Sequence, residues 1–363
     1  MVIDTKDNTN ILSPYRPRKM AVGEVDYMEA IPEGYMKTVV FLCVDEPING
    51  GTKRVPKATG FLAHVPVEDS TDLGVDYLVT AGHCINEARQ YGVVHIRVNR
   101  KAGKFIEFPT KVDDWYIHDS ADVAAIPCLP SALPSGIQSK DLDTNSLDIN
   151  AFVGGAPSYK KIVIRYRNEH EIRPRVGHGV YFVGLFTEHY GEECNLPIAR
   201  FGNISRMPSL ITVESHGIRS SIIAYLVEFH SWGGHSGSPV FYLIPTTVEH
   251  HIPLSLTNGS SLSLPQRIDL SWETGFMGLI SGHYPIVEKA QKRGDILGDI
   301  RVELNSGIAT VTPAIAVTEL LMREDFVEYR KEIKGIAESK RPFPTLDIAK
   351  AEEEFTQDDF CKI

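Results

Sequence analysis

The chain has 363 residues, 42% of them apolar and 23% charged, with 29 Gly and 22 Pro; at about 150 residues per domain this is a globular protein of two to three domains, and a chain disordered throughout is excluded. Its 47 acidic and 37 basic residues leave a formal charge of −10, a poor footprint for a protein that must neutralise nucleic-acid phosphates. The five cysteines, Cys43, Cys84, Cys128, Cys194 and Cys361, are odd in number and never spaced as CxxC, which suggests neither a disulfide framework nor a zinc ribbon.

Along the chain, the first twenty residues break every apolar stretch with Asp, Lys, Asn or Pro and so lack the core of a signal peptide. No later window approaches 18 consecutive apolar residues; the most apolar piece, Ile308–Met322, holds Pro313 and Glu319, so no membrane span is expected. A soluble, cytoplasmic protein in a reducing compartment is expected. The stretch 1–35 reads as an N-terminal extension. From about residue 36 short β-branched and aromatic runs alternate with turn residues, which predicts an all-β fold. Strands are expected at Lys37–Val44, Lys57–His64, Tyr77–Thr80, Val93–Arg97, Lys104–Phe108 and Val123–Ile126. After the Pro/Ser/Asp-rich stretch Leu129–Asn150 six more follow, at Lys161–Tyr166, Gly179–Phe186, Ile222–Phe229, Ser238–Leu243, Gly275–Ile280 and Gly307–Val311.

Six and six predict two small antiparallel β-barrels, over 36–128 and 161–323, joined by an interdomain linker over 129–160. Behind Thr312 as N-cap and Pro313 in the first turn, Ile315, Val317, Leu320, Leu321 and Val327 recur at helical spacing, so one or two helices close the fold. Residues 324–363 then read as a C-terminal helix and a solvated acidic tail carrying Glu352, Glu353, Glu354, Asp358 and Asp359.

Three segments carry chemistry-bearing residues: DYLVTAGHC, ending at Cys84; HDSADVAAIPC, ending at Cys128; and HSWGGHSGSPV, ending at Val240. Glycines bracket Ser236 and permit a tight turn whose N–H groups point inward, a nest able to hold an oxyanion. His83 follows a strand and sits among small residues, so its ring can face a cleft. Asp122 opens an apolar run and can fix the tautomer of a histidine.

In this order the segments resemble the trypsin/chymotrypsin-like serine peptidases, specifically an intracellular, bacterial-type member without a PDZ module. The resemblance covers about Met36 to Leu321. It implies two six-stranded barrels with C-terminal helices and a cleft between the barrels. Ser236 is then the nucleophile, His83 the base and acid, and Asp122 the residue that orients the imidazole. The N–H groups of Gly234 and Ser236 form the oxyanion hole. The substrate is a polypeptide, and no cofactor or metal is required. Ile280, Ser281, Gly282 and Gly307 are expected on the walls of the pocket for the residue before the cleaved bond, with Ser281 also bonded to Asp122, and His230 and Ser231 at its floor.

Three departures from the family pattern stand out. His235 occupies the place of an aspartate that receives a new N-terminus, so that form of activation looks absent. Cys84 lacks a disulfide partner in Ala58-Thr59-Gly60-Phe61-Leu62. The segments Val65–Asp76 and Pro245–Glu273 are long for the family's loops, and His250 and His251 are placed in the second of them as loop residues. The competing reading is a partner-activated or inactive protease-fold module that binds or senses an activating protein.

Overall fold

The computed structural model describes residues 2–4, 11–12, 31, 33–68, 73–128, 133, 137–149, 174–215, 218–229, 234–255, 261–290 and 300–339. Its first half contains strands β1 (Val2–Asp4) and β2 (Ile11–Leu12), helix α1 (Glu33–Met36), β3 (Val39–Ile48), β4 (Gly51–Pro66), β5 (Leu73–Thr80), α2 (Gly82–Ala88), β6 (Val93–Asn99), β7 (Phe105–Lys111), β8 (Tyr116–Ile117), β9 (Ala124–Pro127) and β10 (Ser146–Asp148). The second half contains β11 (Gly179–Gly184), β12 (Ile198–Ser215), β13 (Ile218–Glu228), β14 (Pro239–Ser255), β15 (Ser261–Ala290), β16 (Ile300–Pro313), α3 (Ala314–Leu321) and α4 (Glu324–Ser339).

The protein is mostly β, in two sheets, with helices at the C-terminal end of the described chain. The first sheet has ten strands, seven of them in the order β7-β6-β3-β4-β5-β9-β8. Neighbours along that path are antiparallel, whereas β10 lies parallel to β4 and β2. In the second sheet the hydrogen-bonded path runs β11-β12-β13-β16-β15-β14 and returns to β11. The expectation of six strands in the first half therefore gives way to ten, and the second half has six among the described residues. The first sheet gains pieces of two or three residues, β1, β2, β8 and β10, which are too short to show a period of two in the sequence. In the second half β12 is an additional strand, and the expected strand Lys161–Tyr166 lies outside the described residues.

Two further expectations change. The segment Pro245–Glu273 is not a loop: β14 and β15 continue as a paired ribbon from Pro245↔Trp272 to Ser255↔Ser261, with His250 opposite Arg267 and His251 opposite Pro265. Alternation in that stretch is hidden by its Ser, Asn and Gly content, but ladder pairing continues from the strands that feed it. At the helix start, Pro313 is itself the N-cap of α3, with φ −62° and ψ 147°. Thr312 remains in β16, with its hydroxyl bonded to Ser281.

Strand alternation builds three apolar clusters. Val40, Leu42, Leu62 and Leu78 point to one face of the first sheet, with Ile85, Ile96, Phe108 and Trp115. Val180, Phe182, Val240 and Tyr242 point to one face of the second, with Val227 and Met277. The opposite faces meet: Phe41, Phe61, Tyr77 and Val79 share a central cluster with Tyr181, Val183, Phe241 and Phe276. These strands are buried on both sides, which is why they read as continuous apolar runs.

At about 1.5–3 kcal/mol for each fully buried large side chain, this shared layer makes the two halves one cooperative body. Val317, Leu320 and Leu321 of α3 and Phe326 and Ile333 of α4 complete it. Arg330, also buried, donates to Tyr77 Oη at 3.0 Å and Leu321 O at 2.8 Å. Part of the expected linker is also packed, with Leu142, Leu147 and Ile149 buried. No helix among the described residues is long and apolar enough to cross a membrane.

Candidate active site

His83 lies in the first turn of α2, the seven-residue helix Gly82–Ala88; the sequence reads this position as a turn. What fixes the helix is distant in sequence. Asp122 stands 39 residues away, at the bend leading into β9, and accepts two hydrogen bonds: His83 N–H donates to Oδ1 at 2.7 Å, and Nδ1 of the same residue lies 2.8 Å from Oδ2. One carboxylate thus satisfies a free donor of the helix start and holds the imidazole in a single orientation. The His83 and Asp122 side chains keep 35% and 20% of their exposure, so the pair opens to solvent.

Beyond the ring, His83 Nε2 lies 3.6 Å from Cys84 Sγ. Cys84 is one of four described cysteines, with Cys43, Cys128 and Cys194, all of them free thiols. Burial works against the imidazolium, while the Cys84 sulfur and the Asp122 carboxylate favour it; the outcome is a His83 pKa well above the usual histidine value.

Ser236 sits in the turn Gly234–Gly237, where both glycines have positive φ, +92° and +83°. A side chain at Gly237 is excluded twice over. The left-handed backbone disfavours it, and a Cβ there would lie 2.1 Å from Thr59 O and 2.3 Å from Thr80 Oγ1. That close approach seats the turn on the segment Thr80–Ala81, which leads directly into His83.

Further bonds lock the turn to both sheets. Thr59 N–H donates to Ser236 O at 3.0 Å, and Gly237 N–H to Ile280 O at 2.8 Å. Thr59 Oγ1 donates to Gly234 O at 2.8 Å and accepts from Leu185 N–H at 2.9 Å. Within this buried turn Ser236 alone keeps partial exposure. Among the described residues its hydroxyl makes no hydrogen bond, and the N–H groups of Gly234 and Ser236 donate to no protein acceptor.

The residue before the serine, His235, is fully buried, and its ring centroid lies 4.8 Å from that of Phe182. Burial, assisted by Arg200, pushes its pKa down to about 4, so the ring is neutral at neutral pH. It is a packing residue beneath the turn.

Of the expected pocket residues, Ile280 is brought against the serine turn: its N–H donates to Ser238 O at 2.9 Å, and its side chain is buried. Ser281 and Gly282 follow on β15. Ser281 Oγ shares a short hydrogen bond with Thr312 Oγ1 and is not bonded to Asp122, which corrects that expectation. Thr312 is drawn there by the β15–β16 register, which pairs it with Leu279. Gly307 on β16 has φ +75°, and its carbonyl accepts from Phe229 N–H at 2.8 Å. His230 and Ser231 lie outside the described residues.

Two groups near the site are not singled out in the sequence. Thr59 bridges the serine turn and both sheets, but in the sequence it is one more β-branched residue in an apolar run. The turn Thr187–His189, a single 3-10 turn, lies beside Gly234, in line with the 2.7 Å that would separate a Cβ at Gly234 from Thr187 Cγ2. Comparison with protein-family models and with curated proteins finds no match.

Proposed function

We propose that the chain is a serine endopeptidase that hydrolyses peptide bonds through Ser236, His83 and Asp122. The observation that carries this reading is the doubly bonded His83–Asp122 pair, open to solvent, with a positive-φ glycine turn presenting a partly exposed serine against the strand end that leads into that histidine. In the reaction, His83 Nε2 takes the hydroxyl proton as Ser236 Oγ bonds to the carbonyl carbon. The oxyanion so formed accepts from the Gly234 and Ser236 N–H groups, a contribution of about 3–4 kcal/mol per donor in related chemistry. The imidazolium then gives its proton to the amine nitrogen as the C–N bond breaks. Water, deprotonated by His83 Nε2, then bonds to the acyl carbon, and the imidazolium returns the proton to Ser236 Oγ as the ester C–O bond breaks.

The trypsin-like architecture of two barrels flanking a cleft belongs to the same proposal. It is supported by the second sheet, whose path returns to its first strand, and by the position of the site where the sheets meet. The open path of the first sheet, from β7 to β8, departs from it. Four free thiols are consistent with an intracellular, reducing location. Replacing Ser236 with Ala should abolish labelling by a fluorophosphonate and reduce peptide hydrolysis by up to about a millionfold; equal labelling of the two proteins would sink the reading.

One observation favours a second reading, a partner-activated or inactive module on the same scaffold. His83 Nε2 contacts Cys84, and Ser236 Oγ has no bond to it. A folded wild-type protein that neither labels nor cleaves alone, but labels once a protein partner is added, would support partner activation.

A further inference from the structure

A cavity of about 440 Å³ opens beside the serine turn. Its lining includes Lys53 and Lys57 of β4, Thr187 and Tyr190, and Gly234, the residue expected to donate to the oxyanion. Lys57 stands two residues before Thr59, whose N–H holds Ser236 O, so a chain lying in the cavity runs directly to the nucleophile.

Its charge is unusual for this protein. The whole chain carries −10, yet no acidic residue is among the described residues that line the cavity. Arg54 lines the cavity together with Lys53 and Lys57. Arg54 is committed, because Asp45 accepts from its Nε and Nη2, and Glu107 from its Nη1, all at 2.9 Å. Lys57 pairs with Glu46. Lys53 makes no ion pair among the described residues; Glu46 stands opposite it in the β3–β4 register but is bonded to Lys57, so two ammonium groups share one carboxylate and the cavity keeps a net positive charge.

The far wall is held in place from the first sheet. Arg97 Nη2 donates to Gly191 O at 2.7 Å and Glu192 O at 3.2 Å, and Asn195 Nδ2 donates to Arg97 O at 2.8 Å. Asn99 Oδ1 and Nδ2 close a reciprocal pair with the Asn195 backbone. The Arg97 guanidinium also lies 5.3 Å from the Tyr190 ring centroid. A ligand therefore meets a wall that is already ordered.

We infer that this cavity is a substrate subsite for a carboxylate side chain, Asp or Glu, on the leaving-group side of the cleaved bond, with Lys53 as the residue that selects it. The inference rests on the endopeptidase reading and gives that reading a substrate class. The leaving-group side follows from the elements involved. The expected walls for the acyl side, Ile280–Gly282 and Gly307, stand on β15 and β16, whereas this cavity is built on β4 and the turn at Thr187.

The test uses internally quenched peptides identical except for Glu, Ser or Lys at each of the first three positions on either side of the cleaved bond, with wild-type protein and the Lys53→Gln variant. Expected is a preference in kcat/KM of about tenfold or more for Glu over Lys at one leaving-group position. That ratio should fall severalfold in Lys53→Gln, whose unchanged melting curve controls for folding. A flat profile at the leaving-group positions, a Glu preference only on the acyl side, or a ratio unmoved by Lys53→Gln overturns the subsite, while cleavage lost in Ser236→Ala keeps the endopeptidase reading intact. Absence of all cleavage and labelling overturns both.

Discussion

In the first half of the chain, two of the histidine–aspartate pairs share the same bond and have opposite surroundings. In both, a histidine Nδ1 lies 2.8 Å from a carboxylate oxygen: His83 with Asp122, and His64 with Asp76. The first pair keeps exposures of 35% and 20%, the second 4% and 1%. His64 and Asp76 face each other across β4 and β5. The backbone of Gly74 closes over the ring, where a Cβ would lie 2.1 Å from Nε2. Asp76 Oδ2 is buried with no hydrogen-bond partner among the described residues. The bond between the two side chains is therefore not what makes a general base. On the proposed reading that takes solvent access and a neighbouring serine turn, and of these two pairs only His83–Asp122 is partly exposed.

The comparison breaks most severely at Asp122. Asp122→Asn should keep the fold and reduce kcat by about 10⁴-fold, because the amide favours the wrong imidazole tautomer, whereas Asp76→Asn should leave kcat unchanged and lower the melting temperature. Next in size, His64→Ala removes one partner of a sealed pair and should cost about 3–5 kcal/mol of stability, read as a lower urea midpoint with catalysis per folded molecule retained. A His64→Ala protein of unchanged stability would show that burial is not what separates the two pairs.

Gly237→Ala tests the other half of the difference, the position of the nucleophile. A methyl group between Thr59 O and Thr80 Oγ1 displaces Ser236, and a shift of about 1 Å is expected to lower kcat/KM by about 10²-fold.

The smallest expected effect concerns Cys84. Activity needs neutral His83, and its raised pKa places the rise of kcat/KM with pH above the ordinary histidine range; Cys84→Ala removes an upward push and should move that inflection to lower pH. The linkage to stability has the opposite sense. With the folded pKa above the unfolded value of about 6.5, the protonated pair contributes stability that is fully present below that value and is lost as pH rises through the folded pKa. An inflection that does not move in Cys84→Ala would mean that Asp122 alone sets the pKa.

The open pair and the serine turn are legible because each residue sits in a locally unusual context: His83 among small residues after a strand, Asp122 at the head of an apolar run, Ser236 between glycines. His64 has no such context, since its partner is supplied by strand register, which no local window records. The same reason hides α2. Its seven residues show too little periodicity to read as a helix, and its start is satisfied by a carboxylate 39 residues away. β12 passes unseen because Arg200, Phe201, Arg206, Met207 and Leu210 remain exposed or nearly so, which leaves no clean alternation. The apolar runs buried on both faces are the most readable strands, and these are the ones that form the central layer.

That layer also sets an order of events. Phe326, Arg330 and Ile333 of α4 complete a core whose other members begin at Val39. A chain still emerging from the ribosome has both sheets available before it has the helix that seals them. His83 and Ser236 stand on opposite sides of that layer, so the helix that seals it is the last part of the described core to be made.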